Sequence, residues 1–236
     1  MIRLGTSYGG WHLPELIPLD STSFVVSAGV GEDISFDLAL QARTGCRVLL
    51  LDPTERAAKH VEEMKEYAAG NRTTFSGSIQ PDYMKWVEGE GRGVDWSRME
   101  FRPVGLWTEP ATLKFYKQDN PLYVSQSFVP GMYSKDAFTL APVDRLSNIV
   151  SVGQTIDLLK LDIEGAEMPV LDAVLADAQA GLHSLPRWLC VEFDALLKGM
   201  DPQGKQTQAL VERLRKAGYV VRHESNWNVV FSREGS

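Results

Sequence analysis

The stretch "LLKLDIEGAEMPVL", residues 158–171, decides how this chain is read. It begins like a buried strand yet carries Lys160, Asp162, Glu164 and Glu167 around one glycine, although ionised groups rarely sit inside a protein without partners. Side chains alternate along a strand, so Lys160, Asp162 and Glu164 are expected on one face and Leu161 and Ile163 on the other. Gly165 then turns the chain into a helix over 166–180, with Val170, Leu171, Val174, Leu175 and Ala178 inward. Pro169 is tolerated near its start, where backbone N–H groups lack intrahelical partners. A plain structural account exists: Lys160 pairs with Asp162, and the two glutamates complement the positive end of the helix. That account suffices for Glu167. For Asp162 and Glu164, projecting at a strand's carboxyl end, a place in a ligand site is the stronger reading.

Working outward, "SFVVSAG" (23–29) is a short apolar strand, followed by a helix from Asp33 to Arg43 that Gly45 stops. "CRVLLLD" (46–52) is a second strand, and after Pro53 the residues Ala57, Val61, Met64 and Ala68 mark one face of a helix closed by Gly70. Beyond the opening stretch come a strand "WLCVEFD" (188–194), a helix over 205–217 and a hairpin of "YVVRHES" and "WNVVFS". Between the halves, 71–97 reads as an insertion, "MEFRPVGLW" (99–107) as a third strand, "TLKFY" (112–116) as an exposed strand and 120–142 as a lid-like loop. Repeated βα units imply one α/β domain over 1–236, with a mostly parallel sheet, helices on both faces and one antiparallel strand from the hairpin.

Two further strand ends then belong beside Asp162. Gly29 and Gly31 sit where a strand turns into a helix, a place where the chain turns tightly and a ligand approaches the backbone. The dinucleotide fingerprint wants a third glycine where Ile34 stands, which counts against a nicotinamide or flavin cofactor. Asp52 closes the second strand, where a carboxylate can accept both hydroxyls of a ribose, or simply partner the helix that starts after Pro53.

A net charge of −7 without a basic stripe argues against nucleic acid as partner. Cys46 and Cys190 lie in apolar strands and read as reduced core residues. No apolar run approaches the roughly 20 residues that cross a bilayer, so no membrane partner is expected and the default compartment is cytoplasmic. Nothing in the sequence sets an oligomeric state.

With these segments in view, the chain resembles the FkbM family of S-adenosylmethionine-dependent methyltransferases. The resemblance rests on "SAGVGEDISFDLAL", "LLLDPT", "PVGLW" and above all "LLKLDIEGAEMPVL", with "LGTSYGGW" and "CVEFD" in support. It implies a Rossmann-like class I methyltransferase fold of seven strands, the last one antiparallel, and methyl transfer to a hydroxyl of a small molecule or sugar. On that pattern Gly29 and Gly31, flanked by Glu32 and Asp33, would cradle the aminocarboxypropyl end of S-adenosylmethionine. Asp52, beside Pro53, would hold its ribose, Leu106 and Trp107, closing the third strand, would lie near the adenine, and Asp162 would complete the cofactor site. Many methyltransferases have a glycine or a small residue where this chain has Asp33.

A sulfonium is already a good leaving group, so the protein mainly orients the acceptor and excludes water. A base helps as the new bond forms. Glu164 is the first candidate, within a catalytic group of Lys160, Asp162 and Glu164, and Glu192 and His223 stand behind it. Glu192 and Asp194 are expected on one face of the fifth strand, next to Asp162. Their oxygens suit Mg²⁺, though no metal is expected, and without histidine or cysteine the cluster is a poor match for zinc. The main competing reading is a non-catalytic binding or scaffold domain on the same fold.

Overall fold

The computed structural model describes residues 1–77, 79–89, 93–117, 126–127, 137–197 and 199–233. The chain opens as a short antiparallel ribbon, β1 (Ile2–Leu4) against β2 (Trp11–Leu13), with Arg3 opposite His12. β3 (Phe24–Ala28) is buried along its length and leads to α1 (Ser35–Thr44), which Gly45 ends in the left-handed conformation. β4 (Arg47–Leu51) and α2 (Glu55–Ala68) repeat the unit, and the Thr54 hydroxyl caps α2 by accepting from the Ala57 N–H. Residues 71–97, the expected insertion, carry α3 (Tyr83–Gly89), whose Tyr83 and Val87 are buried. Then follow β5 (Met99–Arg102), β6 (Gly105–Leu106), β7 (Ala111–Lys117), β8 (Gln126–Ser127), β9 (Phe138–Asp144) and the short α4 (Leu146–Ile149). The last third holds β10 (Leu158–Leu161), α5 (Glu167–Gln179), β11 (Trp188–Glu192), the short α6 (Asp194–Leu197), α7 (Lys205–Lys216), β12 (Tyr219–Ser225) and β13 (Asn228–Arg233).

Seven strands form the main sheet in the order β12-β13-β11-β10-β3-β4-β5, in which only β13 runs against its neighbours. Its parallel strands are almost continuously apolar because helices cover both faces. One face packs Val25, Val48, Leu50, Leu158 and Cys190 against α1, α2, α3 and the ribbon. The other packs Val26, Leu49, Leu51, Leu161 and Val191 against α5 and α7. Each such fully buried Val or Leu contributes about 1.5–3 kcal/mol. Cys46 and Cys190 are buried and free, as their apolar surroundings predict. The strand order reverses between β3 and β10, the place where open α/β sheets leave a crevice at their carboxyl ends.

Three expectations need correction. The third strand is not continuous over 99–107: β5 ends at Arg102, the Val104 N–H bonds back to the Arg102 carbonyl, and β6 pairs with β9 in a second sheet of order β6-β9-β7-β8. Pro103 lacks the N–H that a continuing ladder needs. Leu106 and Trp107 therefore do not close a strand of the main sheet, although Leu106 still packs into its second core. The expected loop at 120–142 contains β8, and its residues 138–142 belong to β9. Residues 118–125 and 128–136, including Tyr123 and Tyr133 of the lid reading, lie outside the described residues. Finally, β10 stops at Leu161 and β11 at Glu192, so neither Glu164 nor Asp194 keeps strand alternation. Among the described residues no helix is long and apolar enough to cross a membrane.

Candidate active site

Lys160 is the hinge of the site. It sits on β10, 4 % exposed, beside Ser27 of β3 and Cys190 of β11. Its Nζ donates to the Gly29 carbonyl at 3.0 Å and lies 3.4 Å from Asp162 Oδ2. Burial works against its charge, but Asp162, Asp37 and Glu192 together hold the ammonium pKa above its ordinary value. A cation on an inner strand thus ties the glycine turn of β3 to the carboxyl end of β10. The expected Lys160–Asp162 pair is present.

The turn itself is built by close approach. Gly29 has φ +76, its N–H donates to the Leu51 carbonyl at 2.9 Å, and a Cβ there would fall 1.6 Å from the Asp162 carbonyl oxygen. Gly31 differs: nothing lies within 4 Å of where its Cβ would be, so the turn is open on that side. The Gly31 N–H donates to Asp52 Oδ2 at 3.0 Å, while Asp52 Oδ1 accepts from the Thr54 N–H and hydroxyl at 2.9 and 2.6 Å. Asp52 therefore joins the turn to the start of α2, and burial raises its pKa against these hydrogen bonds. One acceptor position remains on Oδ2, since a carboxylate offers about four. Pro53 packs beside β6, its Cγ 3.2 Å from where a Gly105 Cβ would be, which keeps Leu106 and Trp107 near the end of β4 despite the change of sheet.

Glu32 and Asp33 are committed to protein contacts. Both Glu32 oxygens take Arg56 of α2, at 3.0 and 2.8 Å. Asp33 accepts from the Thr6 hydroxyl at 2.5 Å and the Ser35 N–H at 2.9 Å. Asp33 thereby pins the segment after β1 over the turn, where a Cβ on Gly9 would fall 2.7 Å from the Asp33 Cγ.

Beyond β10 the backbone turns sharply. Glu164 adopts φ +58, uncommon for a residue with a side chain, and its carbonyl accepts from the Ser127 hydroxyl at 2.7 Å. Glu167 folds back, its oxygens accepting from the Ile163 N–H at 2.9 Å and the Gly165 N–H at 3.2 and 3.1 Å. This is the structural role expected of it at the helix start.

Carboxylates gather next to this turn. Burial, then the charge of Asp162 and a hydrogen bond with it, pushes Glu192 up to about 9. Burial, then Glu167, Asp162 and Glu192, pushes Asp194 to about 9, and burial raises Glu167 to about 7 despite its backbone donors. On the far side of Lys160, burial holds Asp37 of α1 at about 6. Among the described residues no three of these groups are placed to hold a metal ion. The role of Asp37 was invisible in the sequence, where it is one acid in the first turn of a helix. His223 lies on β12, its ring 4.8 Å from that of His12.

These raised values predict a pH dependence. The folded carboxyls bind protons that the unfolded chain has released by about pH 4 to 5, so their stabilisation is lost as pH rises through the folded values of about 7 to 9. His60, buried against Tyr83 and lowered by burial to about 4, acts oppositely only below its ordinary 6.5. Melting followed by circular dichroism is expected to show higher stability at pH 6.5 than at pH 9, with a slope of about 1.4 kcal/mol per pH unit for each extra bound proton. A flat or rising profile would refute the shifts.

The strand order, the glycine turn and the acidic end of β10 define a methyltransferase fold. The sequence model described as "Methyltransferase FkbM domain" matches residues 26–221, and the chain belongs to that family. No curated protein matches. Among solved structures, an rRNA methylase from Streptococcus thermophilus is 12 % identical, covering 91 % of this chain and 89 % of that one, with a TM-score of 0.41. The N-terminal domain of human METTL16 in complex with SAH is 11 % identical over 91 % of this chain and 64 % of that one, TM-score 0.42. The N,N-8-amino-8-demethyl-D-riboflavin dimethyltransferase RosA from Streptomyces davawensis is 12 % identical over 89 % of this chain and 49 % of that one, TM-score 0.37.

Proposed function

We propose that this protein is an S-adenosylmethionine-dependent methyltransferase acting on a hydroxyl of a small molecule or sugar. The observation that carries this reading is the meeting of the Gly29–Gly31 turn, Asp52 and Asp162 at the carboxyl ends of β3, β4 and β10, joined by the Gly31–Asp52 and Lys160–Gly29 hydrogen bonds. These residues suit the cofactor. The open side of Gly31 leaves room for its aminocarboxypropyl end, and the remaining acceptor position of Asp52 Oδ2 suits a ribose hydroxyl. When bound, S-adenosylmethionine supplies a methyl group whose transfer to an acceptor oxygen breaks the carbon–sulfur bond, leaves a neutral thioether and releases the acceptor's proton.

The chain's own part is to orient the acceptor, exclude water and take that proton. Asp162 is the best placed base: it lies at the strand end, Lys160 holds its Oδ2, and Glu192 shares a hydrogen bond with it. Glu164, first in line by sequence, serves instead through the shape of its turn. The net charge of −7 supports a small acceptor over nucleic acid.

Calorimetric titration with S-adenosylmethionine and S-adenosylhomocysteine tests the reading. Asp52→Ala is expected to weaken both by about 1–3 kcal/mol through loss of charged hydrogen bonds. Unchanged affinity would remove Asp52 from the site. Absence of any heat with the wild-type protein would favour the non-catalytic domain.

A further inference from the structure

A cavity of about 250 Å³ lies on the α1 face of the sheet, between the β1–β2 ribbon and the ends of β11, β12 and β13. Glu192, the hydrogen-bond partner of Asp162, forms part of its wall, so it adjoins the proposed reaction centre. Its other polar walls include Arg3, His12, His223 and Asn228.

Two features of this wall bear on what it can bind. First, His223 Nε2 and Asn228 Oδ1 are buried without hydrogen-bond partners, whereas buried polar atoms are almost always paired. Second, Arg3 and His12 stand directly opposite each other in the ribbon, with His223 stacked at 4.8 Å. A protonated His12 would face the guanidinium as a like charge, which destabilises such a pair. Burial, then His223 and Arg3, accordingly holds the His12 pKa below its ordinary value. Arg3 spends N–H donors on the Thr6 and Ser7 carbonyls and has others to spare. Asp82, which feels Arg3, is engaged by the Ser7 N–H and hydroxyl. A chain of net charge −7 thus concentrates one guanidinium and two imidazoles on one side of a cavity.

The size limits the occupant. Pockets for drug-sized ligands span about 300–1,000 Å³, so this one suits a single ring. Trp227 lines it and is 38 % exposed, which leaves an aromatic face free to stack.

We propose that this cavity is the acceptor subsite and takes one hydroxylated ring bearing an anionic group, a carboxylate or a phosphate. The anion lies against Arg3, His12 and His223, and a hydroxyl lies toward Glu192. That the occupant is a methyl acceptor rests on the methyltransferase reading. The anion preference does not.

The chain has four histidines, so their ring protons can be followed individually by NMR, with His60 and His183 as internal references. D-glucuronate, glucose 6-phosphate and glucose are titrated into the full-length protein, with and without S-adenosylhomocysteine. The anionic sugars are expected to bind at least about ten-fold more tightly than glucose and to raise the pKa of His12. Carboxylate and phosphate sources are told apart by which of the two binds better. Arg3→Gln should abolish the preference, and His223→Gln provides a second variant in case loss of Arg3 loosens the ribbon. Equal binding of glucose, no binding of any sugar, or unmoved His12 and His223 titrations would overturn the proposal. Failure of S-adenosylhomocysteine to bind, with the anion effect intact, would instead overturn the methyltransferase reading.

Discussion

Gly29→Ala is expected to destabilise the protein by more than about 4 kcal/mol, beyond the range of ordinary substitutions. The left-handed backbone alone costs a side chain about 1–2 kcal/mol. The larger cost is steric, because the new Cβ would lie 1.6 Å from the Asp162 carbonyl oxygen and 2.6 Å from its carbon. Neither partner can retreat. Asp162 N–H is bonded to the Ala28 carbonyl at 3.2 Å, and Gly29 N–H to the Leu51 carbonyl, so separating them breaks the sheet at its centre. Gly31→Ala is the control: with no atom near its Cβ, it should fold at a cost of only about 1–2 kcal/mol and lose cofactor affinity instead. Denaturant unfolding decides the matter, and a Gly29→Ala protein with an unchanged midpoint would contradict the close approach.

Asp162→Asn is expected to lower turnover by about 10²–10⁴-fold while changing S-adenosylhomocysteine affinity only a few-fold. An amide keeps the size and the contact with Lys160 but accepts no proton from the acceptor hydroxyl. Glu192→Gln should act in the same direction more weakly, because it supports Asp162 through a hydrogen bond. With any acceptor that the wild-type protein methylates, kcat and cofactor affinity are measured side by side. Equal losses in both would assign Asp162 to cofactor binding rather than to proton transfer.

Much of this site was legible in the chain. The apolar runs "FVVSA", "RVLLL", "LLKL" and "WLCVE" became the parallel strands β3, β4, β10 and β11, since a strand covered on both faces has little choice but hydrocarbon. Gly29, Asp52 and Asp162 were placed together because each closes one of those strands. The geometric corrections share one cause. Strand alternation ends at Leu161, short of Glu164, and Pro103 interrupts the strand expected to run to Trp107. Period-two patterning says which way a side chain points only while the ladder lasts.

By itself, then, the sequence determined the layers, the strand directions and the glycine and acid positions at the strand tips, because burial, turn geometry and periodicity act between near neighbours along the chain. Tertiary structure alone decided the partners. It brought Asp33 to Thr6, Glu192 to Asp162 and His12 to His223. Those pairings depend on how separate elements stack, and local pattern carries no record of which charge will meet which across that space.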